Sequence, residues 1–207
     1  YLPEAMVNYL ARLGWSHGDD EIFSREQFLQ WFNLDHLGRS AAQFDEAKLR
    51  WVNAQHLKAM DDEALAALVA PQLQKRGMAA ADLADGRLPR ICALFKDRCD
   101  TTVVLADWAA VFYGDAVQAV QEERDKHVTP AAGPALDALI EALQGGAEGV
   151  WDKAFIAAAI KQVLAAQGLK MPQLAMPVRV LVAGTAHTPS VDALLELMGR
   201  EKVIARL

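Results

Sequence analysis

The sequence predicts an all-α protein, and three observations lead to that prediction. Alanine and leucine dominate the composition while β-branched residues are sparse, which favours helices over strands. Apolar residues recur at helical spacing, as they do along Leu2, Met6, Tyr9, Leu10 and Leu13. Residue types that begin and end helices stand at the borders of such stripes.

The bulk properties bound the class of protein. The chain has 207 residues, enough for one domain or two small ones, and its 53% hydrophobic content excludes a disordered chain. A net charge of -6 does not mark the whole molecule as a nucleic-acid binder, although local basic patches could still bind one. No apolar run of about 18 residues and no signal peptide is visible, so we expect no membrane span.

Two cysteines, Cys92 and Cys99, are the whole cysteine content. Seven residues of helix separate their Cα atoms by about 10.5 Å, which exceeds the roughly 7 Å limit for a disulfide. We therefore predict buried, reduced thiols in a cytosolic protein.

The first predicted elements are two helices joined by a loop. Residues 3–14 form the first helix, with Pro3 in its first turn and Gly14 at its end. The loop "SHGDDEIF" precedes a helix that Ser24 and Gln27 begin with a capping box. A short helix or turn is expected from Asn33 to Ser40. Because the helical pattern starts at once and without an initiator methionine, we expect a piece of a longer protein.

Capping residues define the next helices. Asp45 begins one helix, and Asp61 begins a second that Gly77 ends. Residues 79–85 are ambiguous. The stretch "RLPRICALFKDRCDTTVVLADWAAVFYG" predicts two helices with a break near "DRCDTT", where Asp100 or Thr101 caps the second.

A polar stretch over residues 114–133 predicts a domain boundary. The segments "GPALDALIEALQG" and "AEGVWDKAFIAAAIKQVLAAQG" follow as helices, the second ended by Gly168. The run "PVRVLVAG" suits a strand by its alternating valines, but Pro177 in a first turn and Gly184 at the end suit a helix. We predict a helix, because a lone strand would lack a partner.

Patterns of catalysis are missing from this sequence. No glycine-rich phosphate loop follows a strand, which excludes P-loop and Rossmann sites. The histidines lack metal-ligand spacing, and "GDDE" at 18–21 is expected to be a solvated acidic turn rather than a cation site. No Ser-His-Asp arrangement can be assembled. These residues alone do not predict an enzyme.

The helix after Asp45 has one basic face and one core face. Lys48, Trp51, Gln55 and Lys58 share the basic face, opposite Leu49, Asn53, Leu57 and Met60. An indole on a basic face can stack on a base or ribose of RNA. The alternative is that Trp51 packs under a neighbouring segment.

A second basic cluster follows, partly offset by Asp82, Asp85 and Asp97. Its members are Lys75, Arg76, Arg87, Arg90, Lys96 and Arg98. Arg98 stands at the helix–helix break, where an arginine can grip a base edge through two parallel hydrogen bonds. A solvated or salt-bridged arginine is the alternative.

Both ends of the chain resemble bacterial glutamyl-tRNA synthetases. The N-terminal stretch is similar to the family's pattern YLPEA…NYLxxLGWS, then EIFS, then FDxxKLxWxNxxxL. The stretch "RVLVAGTAHTPSVDALLELMGREKVIARL" resembles the family's extreme C-terminus, R…TG…TPxxxxxLxxLGxExxxxRL. The middle, about residues 61–170, matches weakly.

The resemblance implies an architecture and a set of partners. Residues 1–60 would be a helical stem-contact region, followed by anticodon-binding subdomains over 61–125 and 126–207. The partners would be glutamate tRNA and an N-terminal catalytic half that lies outside these residues. That half would use ATP with Mg²⁺ to join glutamate to tRNA, so this chain alone would need no cofactor and would not be catalytic. We expect a cytoplasmic monomer.

The resemblance also implies roles for individual residues. Lys48, Trp51 and Lys58 fall where the family meets the tRNA arm, and Arg98 falls on the arginine that reads the third anticodon base, a cytosine in glutamate tRNAs. Four further residues match the motif that holds the first two anticodon bases: Arg179, Thr188, Pro189 and Val191. Thr188 would also cap the following helix. Ser190 departs from the glycine that many relatives have.

Two other functions remain open on the sequence. One is a free-standing helical interaction module whose basic stripe is only solvated surface. The other is an intact small enzyme with an unrecognised site.

Overall fold

The prediction of an all-α fold is confirmed. The computed structural model describes residues 1–38, 42–115, 117–146 and 149–207. Within those ranges the regular structure is helical, and the nearest approach to a strand is an isolated bridge between Trp15 and Leu37. The α-helices are α1 (Pro3–Arg12), α2 (Arg25–Trp31), α3 (Glu46–Ala59), α4 (Asp62–Lys75), α5 (Ala80–Leu83), α6 (Leu88–Phe95), α7 (Thr102–Tyr113), α8 (Gln121–His127), α9 (Gly133–Gln144), α10 (Lys153–Gln167), α11 (Met171–Ala183), α12 (Val191–Met198) and α13 (Arg200–Arg206). Short 3₁₀ helices lie at Leu34–His36, Lys96–Arg98 and Pro130–Ala132.

The chain divides into two compact units, Tyr1–Ala109 and Ala110–Leu207. The expected division at residues 60 and 125 stays a prediction. The polar stretch over 114–133, expected as a boundary, contains α8 and a 3₁₀ helix at Pro130–Ala132. The ambiguous stretch over 79–85 contains the one-turn helix α5.

In the first unit, α1 packs against α3, and α4 packs against α6. Leu49, Val52 and Leu57 supply the core side of α3, as the helical wheel predicts for Leu49 and Leu57. Cys92 and Cys99 are buried free thiols, and burial raises the pKa of each to about 12. The prediction of buried, unpaired thiols is confirmed.

In the second unit, α11 is the central helix and packs against α8, α9, α10, α12 and α13. The prediction that "PVRVLVAG" is helical is confirmed, although the helix begins earlier, at Met171. The expected first-turn position of Pro177 is therefore wrong, since Pro177 lies inside α11 and Pro172 is the first-turn proline. Neighbours on several sides bury Val178, Val180 and Val182, which explains why the sequence looks like a strand.

Four predicted helix caps are present. Gln27 N donates to Ser24 Oγ at 3.1 Å and Ser24 N donates to Gln27 Oε1 at 2.8 Å, which completes the capping box of α2. Asp45 caps α3 and Asp61 caps α4. Of the two candidates for α7, Thr101 is the cap, because its Oγ1 accepts from Val104 N at 3.3 Å.

The first helix, expected to run to Gly14, ends two residues earlier. The helix α1 ends at Arg12, and Gly14 is not among the glycines with positive φ. Trp15 N still donates to Ala11 O at 2.9 Å, so the chain leaves the helix through further right-handed turns. The end of the 33–40 segment at Arg39 and Ser40 lies outside the described residues. The helix expected from "AEGVWDK" starts only at Lys153, so its expected start is wrong over residues 149–152, while Ala147 and Glu148 lie outside the described residues.

The described ranges contain neither a membrane-spanning helix nor a metal-binding cluster. No helix there has the length and apolar character that crossing a membrane requires. No cluster of three or more His, Cys, Asp or Glu side chains there has the arrangement of a metal site.

Candidate nucleic-acid interface

The basic face of α3 is partly open to solvent. Trp51 is 42% exposed, so much of its ring is accessible. Lys48 Nζ lies 4.2 Å from the centroid of the Trp51 ring, a cation–π contact that orients the indole. Lys58 is exposed on the last turn of the same helix. The structure therefore places Lys48, Trp51 and Lys58 on one accessible helix.

Lys48 is held by a carboxylate that the sequence did not point to. Its Nζ lies 2.6 Å from Glu21 Oε2, and Arg12 Nη2 lies 4.0 Å from Glu21 Oε1. The hydrogen bond from Lys48 is the main cause that keeps the pKa of the Glu21 carboxyl below its ordinary value. Glu21 fixes the Lys48 ammonium beside the indole and offsets part of its charge toward a polyanion.

Arg98 projects from a turn that is docked on α3. The turn consists of the 3₁₀ helix at Lys96–Arg98 followed by Cys99 and Asp100. Lys96 Nζ donates to Met60 O at 2.9 Å, and Asn53 Nδ2 donates to Asp100 O at 2.5 Å. Arg98 itself is exposed, and among the described residues it makes no hydrogen bond or ion pair. A rigid turn thus presents a guanidinium whose donors remain available.

Other members of the second basic cluster are neutralised by acidic neighbours. Arg76 pairs with Asp107 at 2.8 Å, Arg87 with Asp85 at 2.5 Å, and Lys96 with Asp62 at 2.7 Å. The cluster is therefore less basic than the sequence suggests.

In the second unit, two of the four predicted anticodon contacts line one cavity. Arg179 from α11 and Val191 from α12 border a space of about 220 Å³ together with Ser190. Ile160 on α10, Met171 at the start of α11 and Asp192 on α12 also line it. The cavity offers apolar walls, one guanidinium and one carboxylate, which suits a flat heteroaromatic ring with donors and acceptors on its edge.

Thr188 and Pro189 stand on the loop that leads into this cavity. Both are buried, and Thr188 is 5% exposed. The expectation that Thr188 caps the next helix is wrong, because Ser190 is the N-cap residue of α12 and Thr188 Oγ1 donates to Pro189 O at 3.1 Å. Ser190 has φ -58° and ψ 136°, which any residue adopts, so serine in place of glycine strains nothing.

A carboxylate from α8 holds the same loop. Glu123 accepts hydrogen bonds from Ala186 N at 2.5 Å and Thr185 Oγ1 at 3.2 Å. The bond from Ala186 N is the main cause that lowers the pKa of Glu123. Sequence reasoning missed Glu123 and Glu21, and no local pattern could have found them, since each binds residues far along the chain.

Two protein-family models match this chain. A model described as "Anticodon binding domain" matches residues 52–207, about three quarters of the chain. The chain belongs to the anticodon-binding domain family. Residues 1–51 match a second family, described as "tRNA synthetases class I (E and Q), catalytic domain".

Relatives of this anticodon-binding chain are full-length ligases. The glutamate–tRNA ligase of Paracidovorax citrulli is 78% identical over 207 residues, and that of Verminephrobacter eiseniae is 76% identical over 211 residues. All of this chain matches, but it covers only 42% and 43% of those proteins. The chain thus spans about two fifths of the length of these relatives.

A solved structure supports the same fold. The crystal structure of a glutamate tRNA ligase from Elizabethkingia meningosepticum, in complex with its amino acid, superposes with a TM-score of 0.87 at 28% identity. The match covers 100% of this chain and 40% of that one. The resemblance inferred from the terminal motifs is confirmed.

Proposed function

We propose that this chain is the tRNA-binding part of a cytoplasmic glutamate–tRNA ligase and that it recognises the anticodon of glutamate tRNA. The observation that carries the proposal is the cavity shared by Arg179, Ser190 and Val191 in a chain of the anticodon-binding family. Two of its residues, Arg179 and Val191, were named from the resemblance as contacts of the first two anticodon bases.

The cavity chemistry fits an unstacked base. Ile160, Met171 and Val191 present apolar surface to the face of a ring, while the Arg179 guanidinium donates to acceptors on its edge. Anticodon bases expose these edges because they are not paired within the tRNA. A base in a helix-bundle groove is therefore read by its edge and held by its face.

The first unit contributes the remaining contacts of the proposal. Trp51 offers an exposed ring to a base or ribose, and Lys58 offers a phosphate an exposed charge that has no ion pair among the described residues. Arg98 reads the third anticodon base from its rigid turn. Cytosine presents an amino group and the ring acceptors N3 and O2 when it is unpaired, and the guanidinium donates to the acceptors.

In this proposal, catalysis belongs to another part of the full-length protein. A catalytic part outside these 207 residues binds ATP with Mg²⁺ and joins glutamate to the tRNA, and the chain alone does not catalyse that reaction. Residues 1–51 belong with that part, and four exposed apolar side chains on and after α2 support a contact with it. They are Leu29, Phe32, Leu34 and Leu37, which are 68%, 44%, 73% and 47% exposed.

The replacement Arg98→Gln tests the proposal directly. The variant should lose about 10-fold of its preference for cytosine over other third anticodon bases, because one paired base contact contributes about 1–3 kcal/mol of discrimination. Filter binding of glutamate tRNA transcripts that differ only at that base measures the preference.

The matched control is Arg25→Gln, which removes the same charge from an exposed position on α2 outside the predicted contacts. It should keep the wild-type preference. If Arg98→Gln keeps the preference too, Arg98 is not the reader of that base. If the wild-type chain does not bind glutamate tRNA at all, the chain is a helical interaction module. ATP–pyrophosphate exchange with glutamate by the chain alone would contradict the assignment of catalysis to the other part.

A further inference from the structure

The loop between α11 and α12 carries Thr188 and Pro189, yet α8 holds its first half. Glu123 Oε2 accepts from Ala186 N at 2.5 Å, and Glu123 Oε1 accepts from Thr185 Oγ1 at 3.2 Å. Thr185 Oγ1 in turn accepts from His187 N at 3.2 Å. One carboxylate therefore fixes three consecutive residues just before Thr188.

The backbone around Gly184 ties the same segment to the chain before α8. Val120 N donates to Gly184 O at 3.3 Å. Gly184 has φ +81°, and a Cβ at this position would lie 2.9 Å from Val117 Cγ1 and 3.0 Å from Gln118 O. Residues 117–123 and 184–187 are thus in direct contact along their length, and only glycine fits at the point of closest approach.

Burial makes these hydrogen bonds hard to replace. Ala186 is 5% exposed, so its amide has little access to water if the carboxylate is removed. The Glu123 side chain is 22% exposed, while the His187 side chain beside it is 88% exposed, with Nε2 at 3.8 Å from Glu123 Oε1. The acidic group therefore faces the loop, while the His187 side chain projects into solvent.

We infer that Glu123 is a positioning residue for anticodon recognition: through Thr185 and Ala186 it sets the shape of the loop that carries Thr188 and Pro189 and leads into the cavity of Arg179, Ser190 and Val191, the proposed site of the first two anticodon bases. The inference rests on the proposed function. In this inference Glu123 acts through the loop rather than on RNA, because each of its carboxylate oxygens already accepts a hydrogen bond from a loop residue. Its hydrogen bond from Ala186 lowers its pKa, so it is ionised at neutral pH and remains an acceptor at both oxygens.

The experiment compares three variants of the full 207-residue chain. Glu123→Ala removes both acceptors, Thr185→Ala removes one hydrogen bond and leaves Ala186 N bonded, and Glu122→Gln removes a neighbouring exposed charge. Each is titrated with glutamate tRNA transcripts carrying the normal anticodon, a substitution at either of the first two bases, or a substitution at the third.

Glu123→Ala should lower the preference at the first two bases about 10-fold and leave the preference at the third base unchanged, since Arg98 belongs to the other compact unit. Thr185→Ala should lower the same preferences by a smaller factor, and it serves as the test if Glu123→Ala does not fold. Glu122→Gln should keep all three preferences. It is the control for the loss of one negative charge near a polyanion.

Unchanged preferences in both loop variants would overturn the inference and leave the proposed function standing. An equal loss at all three bases, together with a lower thermal midpoint, would also overturn it, because that pattern marks general destabilisation. A wild-type chain with no preference at any anticodon base would refute the proposed function, and the inference with it.

Discussion

Asn53 is a completely buried polar side chain on the core face of α3, and its amide joins three distant segments. Its Oδ1 accepts from Leu2 N at 2.7 Å, and its Nδ2 donates to Asp100 O at 2.5 Å. The N-terminus and the turn that carries Arg98 are therefore both fastened to α3 by one residue. This explains why asparagine stands where the helical pattern calls for an apolar side chain.

The replacement Asn53→Ala should lower the free energy of unfolding by about 3 kcal/mol, because it leaves a buried donor and a buried acceptor without partners. The control Gln55→Ala, on the opposite face of the same helix, should change it by less than about 0.5 kcal/mol. Urea unfolding followed by circular dichroism measures both. Equal midpoints for the two variants would show that the Asn53 bonds do not contribute.

Side chains that act on their own segment could be predicted, whereas those that act across the fold could not. Ser24, Asp45 and Asp61 cap amides two or three residues away, so the sequence shows both partners at once. Lys48 donates to Glu21, which lies 27 residues away in sequence, and Glu123 accepts from Ala186, which lies 63 residues away. Such pairs depend on how helices pack, which spacing alone does not reveal.

At the scale of an element, α11 shows why a short pattern can mislead. Its buried residues number seven of 13, because helices pack against it on several sides. A helix buried all round loses the single apolar stripe that identifies an amphipathic helix, so alternating valines imitate a strand. The choice of helix came instead from the absence of a partner strand and from Gly184, which does adopt the left-handed conformation at the helix end.

Gly168, predicted to end α10, also adopts the left-handed conformation there, so its replacement tests this kind of helix end. It has φ +64° and nothing lies within 4 Å of the position of an added Cβ, so only the backbone opposes a side chain there. Gly168→Ala should destabilise the protein by about 1–2 kcal/mol, the usual cost of a left-handed conformation for an L-residue.

The control for Gly168→Ala is Gly14→Ala, just after α1. Gly14 has equally open space around the position of an added Cβ, but its φ is not positive. Alanine there should be neutral or stabilising by up to about 1 kcal/mol, because it reduces the backbone freedom of the unfolded chain without strain in the folded one. Thermal unfolding of both variants gives the comparison. A similar loss in both would mean that something other than the left-handed backbone opposes the substitution.

At the scale of the whole molecule, the charge of -6 means that RNA binding depends on where individual cations lie rather than on the net charge. Basic side chains that pair with carboxylates in the described residues include Arg12, Lys48, Arg50, Arg76, Arg87, Lys96 and Lys153. The fold class and the positions of Lys58 and Arg98 could be predicted from the sequence, but this neutralisation could not. A net acidic protein disfavours nonspecific RNA binding and leaves base contacts to decide specificity.

Lys58 is one of the available cations, since it is exposed and the structure shows no ion pair for it within the described ranges. Each phosphate contact changes the slope of log K against log salt concentration by about 0.7–0.9. Lys58→Gln should therefore make the slope for glutamate tRNA shallower by about that amount and weaken binding equally for all anticodon variants. Lys161→Gln, at an exposed position on α10 outside the predicted contacts, should leave the slope unchanged. A binding titration over a salt series distinguishes these outcomes, and an unaltered slope for Lys58→Gln would remove Lys58 from the interface.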